Sequence, residues 1–212
     1  DKLYSDLRKA GASDMTIAGT HRTLRAALEW GVGKRILTSS PLQYVDSPRV
    51  AKRPMRVYDA EQLAVLLGHA EGHRYYEVYL TAATTGLRQG ELLGLRRSDI
   101  NLDRGIAQLQ QTLEKPGRNP VFSELKTDQG RRAVVLPRIV IRALIALFER
   151  ESLLERPDEY YDYDLVFHLP NGRPLHPSHV DAALKILQAE AKLPRIRFHD
   201  LRHSCASLML AN

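Results

Sequence analysis

Apolar side chains recur at helical spacing along most of the chain. In residues 14–31, Ile17, Leu24 and Leu28 fall with neighbouring alanines on one side of an amphipathic helix. Arg22 and Arg25 lie elsewhere on it, Trp30 stands near its end, and Gly31 and Gly33 close it. Asp59 is a good N-cap for a helix carrying Leu63, Val65, Leu66 and Leu67. Residues 74–85 read as a buried helix, broken by Gly86 before a short helix over 89–95. Val140, Leu144 and Leu147 predict a helix over 138–155, Val180, Leu184, Leu187 and Ala191 another over 178–191, and a last one runs on from Phe198. Between residues 105 and 137 the period changes. The runs 106–113, 121–126 and 131–136, separated by Pro116-Gly117 and Asp128-Gln129-Gly130, predict a small antiparallel sheet of about three strands. The expected class is mainly α with a small antiparallel β-sheet (α+β).

Prolines punctuate this pattern once. Ser40-Pro41, Ser47-Pro48 and Arg53-Pro54 rule out a helix or central strand there, which predicts a basic linker over 41–57 bearing Lys52, Arg53 and Arg56. The chain then divides into a small helical domain, residues 1–40, and a larger one, residues 58–212. Residues 155–164 are acidic and rich in tyrosine and read as a solvated loop. There is no internal repeat and no low-complexity segment.

Composition adds bounds. With 212 residues, 43% of them apolar and 26% charged, the chain is an ordinary globular one, long enough for one sizeable core and a smaller appendage. No apolar run approaches the roughly 18 residues of a membrane span, and the first residues lack the pattern of a signal peptide. Cys205 is the only cysteine, which excludes an intrachain disulfide and a cysteine-based metal site and fits a reducing cytoplasm. The net charge of +6 is unevenly placed: residues 1–58 hold eleven Lys and Arg against five Asp and Glu, whereas residues 59–212 hold twenty of each. A basic segment on a neutral body is the footprint of a chain that grips a polyanion with one part and acts on it with the other. Arg22, Arg25, Lys52, Arg53 and Arg56 are the candidate contacts.

Three stretches carry candidate chemistry. Thr85-Gly86-Leu87-Arg88-Gln89-Gly90-Glu91 sets an arginine between glycines directly after an apolar helix, where the backbone can turn tightly and a bulky ligand can approach. Arg88 can also pair with Glu91 three residues on, and the two readings are compatible, because an acidic partner on one edge of the guanidinium can hold the other toward an anion. Lys126, in Leu125-Lys126-Thr127-Asp128-Gln129-Gly130-Arg131-Arg132, sits at the mouth of a hairpin turn, a place where lysines are otherwise solvated edge residues. On the last helix, His199, Arg202 and His203 fall at i, i+3 and i+4 and share a face, a cation cluster suited to a phosphate. The His-Asp-x-x-His string also has the spacing of a zinc site, with His168, His176 or His179 as a further ligand, but Arg202 would press a positive charge against the metal. Cys205 is expected to pack as a small apolar residue beside Leu201 and Leu208.

In that order and spacing the three stretches resemble the tyrosine recombinases, the phage integrase family. The resemblance covers nearly the whole chain: residues 58–212 are similar to the catalytic domain and residues 1–40 to part of the helical core-binding domain that clamps the other face of the duplex. It implies a site-specific DNA recombinase, working without metal, nucleotide or other cofactor, in which Arg88 and Arg202 grip the scissile phosphate, Lys126 is the general acid and His199 assists. Glu91 and His203 would be supporting residues. Its partner would be a double-stranded recombination site, and whole enzymes of this kind assemble as tetramers on two duplexes. Family members continue past the position of Asn212 with another histidine or tryptophan and then the nucleophilic tyrosine, whereas all nine tyrosines here lie upstream of His199. The resemblance therefore implies that this polypeptide alone binds DNA, as a monomer or weak associate, without cleaving it. A non-catalytic DNA-binding regulator on the same fold and a metallopeptidase using His199 and His203 are the alternatives.

Overall fold

A computed structural model describes residues 2–51, 56–125 and 130–211, the last without its side chain. The chain forms two compact units, Asp1–Pro54 and Met55–Asn212. The class is the expected one: helices throughout, with two small antiparallel sheets.

The first unit pairs α1 (Lys2–Lys9) with α2 (Asp14–Gly33). Ser13 caps α2, its hydroxyl accepting from the Thr16 amide at 3.2 Å, and Ile17, Ala18 and His21 are buried along it. The Tyr4 hydroxyl of α1 meets His21 Nδ1 at 2.8 Å. The glycines do not close α2 at residue 31. The helix runs on to Gly33, and Gly31 lies buried within it, where a Cβ would sit 3.2 Å from Leu37 Cδ1. α1 is not among the expected elements, although Leu3, Tyr4 and Leu7 fall on one side of it; eight residues make a short pattern to read.

In the second unit, Asp59 caps α3 (Ala60–Ala70), accepting from the Gln62 amide at 2.8 Å while Gln62 returns the bond to the Asp59 amide. The centre of the unit is α4 (Tyr76–Thr85), buried over Glu77, Val78, Tyr79, Leu80, Thr81, Ala82 and Ala83. A helix apolar nearly all round must be enclosed, and α4 packs against α3, α5 (Gln89–Leu93), α6 (Arg138–Ser152) and α8 (Phe198–Ala211). The Tyr79 hydroxyl reaches the Val180 carbonyl of α7 (Pro177–Glu190) at 2.8 Å. Among the described residues no helix is long and apolar enough to cross a membrane.

The β region differs from the expected single sheet. β1 (Ile100–Asn101), β2 (Ile106–Leu109) and β5 (Arg132–Val135) form one sheet in the order β1-β2-β5; β3 (Gln111–Lys115) and β4 (Val121–Glu124) form another. The apolar run 106–113 is thus two strands that change partners at Gln110: Leu109 pairs with Arg132, Gln111 pairs with Glu124, and the Gln110 carbonyl accepts from the Leu125 amide at 3.0 Å. The tyrosine-rich loop is also less solvated than expected. Tyr160, Tyr161 and Tyr163 are half-buried, with Arg173 lying 3.9 Å from the Tyr161 ring centroid and Tyr163 5.7 Å from the Phe122 ring.

Candidate active site

The site is assembled around the turn that ends α4. Gly86 adopts φ +64°, a left-handed conformation that lets the helix stop and the chain reverse. Leu87 is buried as an anchor, and Arg88 follows as the N-cap of α5, with extended backbone. Glu91, one turn on, reaches back: its Oε2 accepts from the Arg88 amide at 3.0 Å and its Oε1 from Arg88 Nη1 at 2.8 Å. Glu91 is only 2% exposed, whereas the Arg88 side chain is 59% exposed. The arginine is held at its base and along one edge, and much of its guanidinium faces solvent.

A second arginine completes this cluster. Arg132, the first residue of β5, donates Nη1 to Glu91 Oε1 at 3.2 Å and Nη2 to Oε2 at 2.9 Å. Glu91 so receives four hydrogen bonds, the full capacity of a carboxylate. Burial by itself would raise its pKa, but the bonds from Arg132 and Arg88 more than offset this and the net shift is downward. The result is one buried anion serving two cations, with a net positive charge beside the open face of Arg88.

From the other side, α8 packs on α4. Arg202 Nη1 donates to the Gly86 carbonyl at 2.7 Å, two residues before Arg88, so Arg202 is anchored on the turn that carries Arg88. A guanidinium at the C-terminal end of α4 also complements the helix dipole. A Cβ at Gly86 would meet Arg202 Cγ at 3.8 Å and Cys205 Sγ at 3.6 Å, both ordinary contacts, so the positive φ and not the space calls for glycine here. Cys205 is buried, in keeping with the expectation that it packs as a small apolar residue.

On α8 the rings of His199 and His203 stand edge to face, 4.8 Å between centroids. His199 is exposed, and its pKa is lowered, first by partial burial and then by the nearby His203, Arg197 and Arg202, against an opposing contribution from Asp200. Asp200 itself is no base in waiting: buried to 5%, it accepts from the Arg197 amide, Nε and Nη2 at 2.8, 3.1 and 2.8 Å and so fixes the start of the helix. Among the described residues no group of three His, Cys, Asp or Glu side chains is placed to hold a metal ion, so the zinc alternative finds no ligand set. His168 instead faces Glu151 and Arg97, beside a cleft of about 1210 Å³ that shares no residue with the arginine cluster.

The sequence profile of the phage integrase family matches residues 56–212. The chain belongs to that family. An integrase of Saccharopolyspora erythraea is 22% identical over 99% of this chain and 60% of its own length. A XerC-like tyrosine recombinase of Caldanaerobacter subterraneus is 26% identical over 97% and 58%, and the integrase of Mycobacterium phage FRAT1 29% over 89% and 55%. The chain thus spans little more than half the length of these relatives. In fold it is similar to the Tn1549 transposon integrase solved with a circular intermediate DNA, with a TM-score of 0.85 at 19% identity, covering 99% of this chain and 71% of that one. A lambda integrase dimer bound to a core site gives 0.65 at 16% identity, over 98% of this chain and 55% of that one.

Within this phage integrase family chain the remaining candidates are placed less completely. Lys126 lies outside the described residues, as do Lys52 and Arg53. On either side of the Lys126 segment, Arg131 donates Nε to the Leu125 carbonyl at 2.9 Å and Nη2 to Glu124 at 2.8 Å, tying the strands together across it. Arg22 and Arg25 are exposed on α2, where Arg25 pairs with Glu29 at 2.9 Å, and Arg56 is exposed ahead of α3. Arg132 was missed as a site residue. Its signal was present, because Arg132 and Val134 share one side of β5, and an arginine on the inward side of a strand needs a buried anion.

Proposed function

We propose that this chain is the phosphate-handling part of a site-specific DNA recombinase, one that in its full-length form cleaves and rejoins strands through a 3′-phosphotyrosyl intermediate. The observation that carries the reading is that Arg202 is anchored on the carbonyl of Gly86, two residues before Arg88, while Glu91 orients Arg88. Two guanidiniums converging from one turn would suit a phosphodiester whose negative charge grows in the transition state, and fixed donors stabilise such charge without reorganising. Lys126 would protonate the departing 5′ oxygen. His199, held mostly neutral near pH 7, can accept a hydrogen bond or relay a proton beside the phosphate. Glu91 and His203 support these groups. No cofactor enters this scheme, since the tyrosyl ester conserves the energy of the bond for rejoining.

Residues 58–212 would act as the catalytic domain, residues 1–40 as part of a DNA clamp, and 41–57 as the basic connection between them. The relatives solved on DNA support a DNA duplex as the partner, which this chain would meet in the cytoplasm. Arg22, Arg25, Lys52, Arg53 and Arg56 would contact phosphates, giving affinity that falls steeply with salt and carries little sequence information. The full-length protein would work as a tetramer on two duplexes, and these 212 residues alone would be monomeric or weakly associated. Because every tyrosine in them precedes His199, they would bind DNA without forming a covalent bond. A nicked suicide substrate carrying the crossover site tests both halves. The full-length protein should yield a covalent protein–DNA adduct and the 212-residue chain none. An adduct from the short chain refutes its inactivity, and no adduct from the full-length protein refutes the recombinase assignment.

A further inference from the structure

We propose that Arg132 is a positioning residue for the phosphate site, holding the Glu91 carboxylate in the orientation from which it aims Arg88. The proposal deepens the recombinase reading and rests on it for the role of Arg88. Its basis is geometric. Arg132 meets Glu91 in a two-pronged contact, Nη1 to Oε1 at 3.2 Å and Nη2 to Oε2 at 2.9 Å, which fixes the plane of the carboxylate as well as its place. The same two oxygens accept Arg88 Nη1 and the Arg88 amide, so rotating Glu91 would break its grip on Arg88 at both points. Arg132 is itself set by a rigid element, pairing with Leu109 in the β2-β5 ladder. Its Nη1 also reaches the Gly130 carbonyl at 3.3 Å, which joins the end of the Lys126 segment to the same carboxylate.

Charge and burial point the same way. Glu91 is 2% exposed, Arg132 30% and Arg88 59%. The most exposed cation is free to meet a ligand, the less exposed one is spent on the anion, and the anion is hidden from water. Without Arg132, the buried carboxylate would rely on Arg88 alone for neutralisation. It would then draw that guanidinium inward, away from the face it presents to a phosphate. Lysine in its place would supply charge but no fork, and would not fix the carboxylate plane.

The test has two arms. In the first, ¹⁵N-arginine NMR of the 212-residue chain follows the Arg88 side chain in wild type, R132K and R132Q. The expected result is an Arg88 guanidinium signal that shifts in R132Q, as the guanidinium is drawn onto Glu91, with a smaller shift in R132K. An Arg88 signal unchanged in R132Q overturns the proposal. In the second, single-turnover cleavage of a nicked site at saturating DNA is measured for the full-length protein. R132Q should slow cleavage about 10- to 100-fold, the usual range for an outer-shell partner, with DNA affinity within about threefold of wild type. The double variant E91Q/R132Q, in which no buried charge is stranded, should be no slower than E91Q. Independent, multiplicative losses in that double variant would overturn the proposal, because Arg132 would then not act through Glu91. A wild-type protein that forms no adduct would strike the recombinase reading and leave the first arm to decide Arg132.

Discussion

Gly94→Ala should destabilise the second unit, and the structure allows the size to be worked out. A Cβ at Gly94 would lie 2.8 Å from the Leu113 amide nitrogen, 3.0 Å from the Gly90 carbonyl oxygen and 3.1 Å from the Thr112 carbonyl carbon, all of them backbone atoms. An ordinary contact needs about 3.5 Å, so β3 would have to retreat from α5 by roughly 0.7 Å. It is poorly placed to do so: it pairs with β4, buries Leu113 in the core, and donates from Gln111 Nε2 to the Gly94 carbonyl at 2.9 Å. Overpacking of this kind costs about 1–3 kcal/mol, and loss of the Gln111 bond about 1 more. The lower chain entropy of alanine in the unfolded state returns about 0.4–1 kcal/mol. The net expectation is a loss of about 1–3.6 kcal/mol. Gly68→Ala is the control, since an exposed Cβ there meets nothing within 4 Å and should be neutral or stabilising by up to about 1 kcal/mol. Tryptophan fluorescence would report on the wrong unit, because the one tryptophan is Trp30 of α2. Native-state hydrogen exchange of the α4 amides is the suitable assay. The reasoning is refuted if Gly94→Ala exchanges as slowly as wild type, or if Gly68→Ala loses as much protection.

Three further outcomes follow from the same packing and charges. The His199 imidazole should titrate by NMR below the ordinary 6.5, and His203→Gln should move it upward by removing a neighbouring positive charge. Because its folded pKa is depressed, stability linked to this group should be intact above about pH 6.5 and decline as pH falls from there through the folded value; a midpoint at or above 6.5 would contradict this. Tyr58→Phe should cost about 1 kcal/mol in urea unfolding, since the Tyr58 hydroxyl donates to the Pro194 carbonyl and burial pushes its pKa up to about 12, which preserves the donor far into alkaline conditions. Arg22→Gln should weaken DNA binding and lower the slope of log affinity against log salt by about one; an unchanged slope would remove Arg22 from the interface.

What could be read from the chain alone was what is local. Asp59 is a helix N-cap and Gly86 a helix stop; both are visible without a fold, and both are found in place. The long helices differ from expectation mainly at their ends, as α6 does in stopping at Ser152 rather than residue 155. What could not be read depends on partners distant in sequence. Nothing near Gln110 announces that its neighbours pair with different strands. The half-burial of Tyr161 depends on Arg173, and on Gly172 at φ +79°, where a Cβ would strike the Tyr161 carbonyl. At the site, Arg88 beside Glu91 was legible from spacing. The approach of Arg202 to Gly86 spans 116 residues and the Arg132 fork 41, and only the fold brings them together.

One bond ties the order of events in folding to this layout. The Tyr58 amide donates to the Ser204 hydroxyl at 2.8 Å across 146 residues, and that hydroxyl in turn donates to the Asp200 carbonyl within α8. The segment leading into the second unit therefore finds its anchor only after residue 204 has been synthesised. A contact of such sequence separation forms late in the synthesis of the chain. During translation the face of α4 that α8 covers stays open until the helix bearing His199 and Arg202 arrives, although α3, α5 and α6 can already pack on the rest of it.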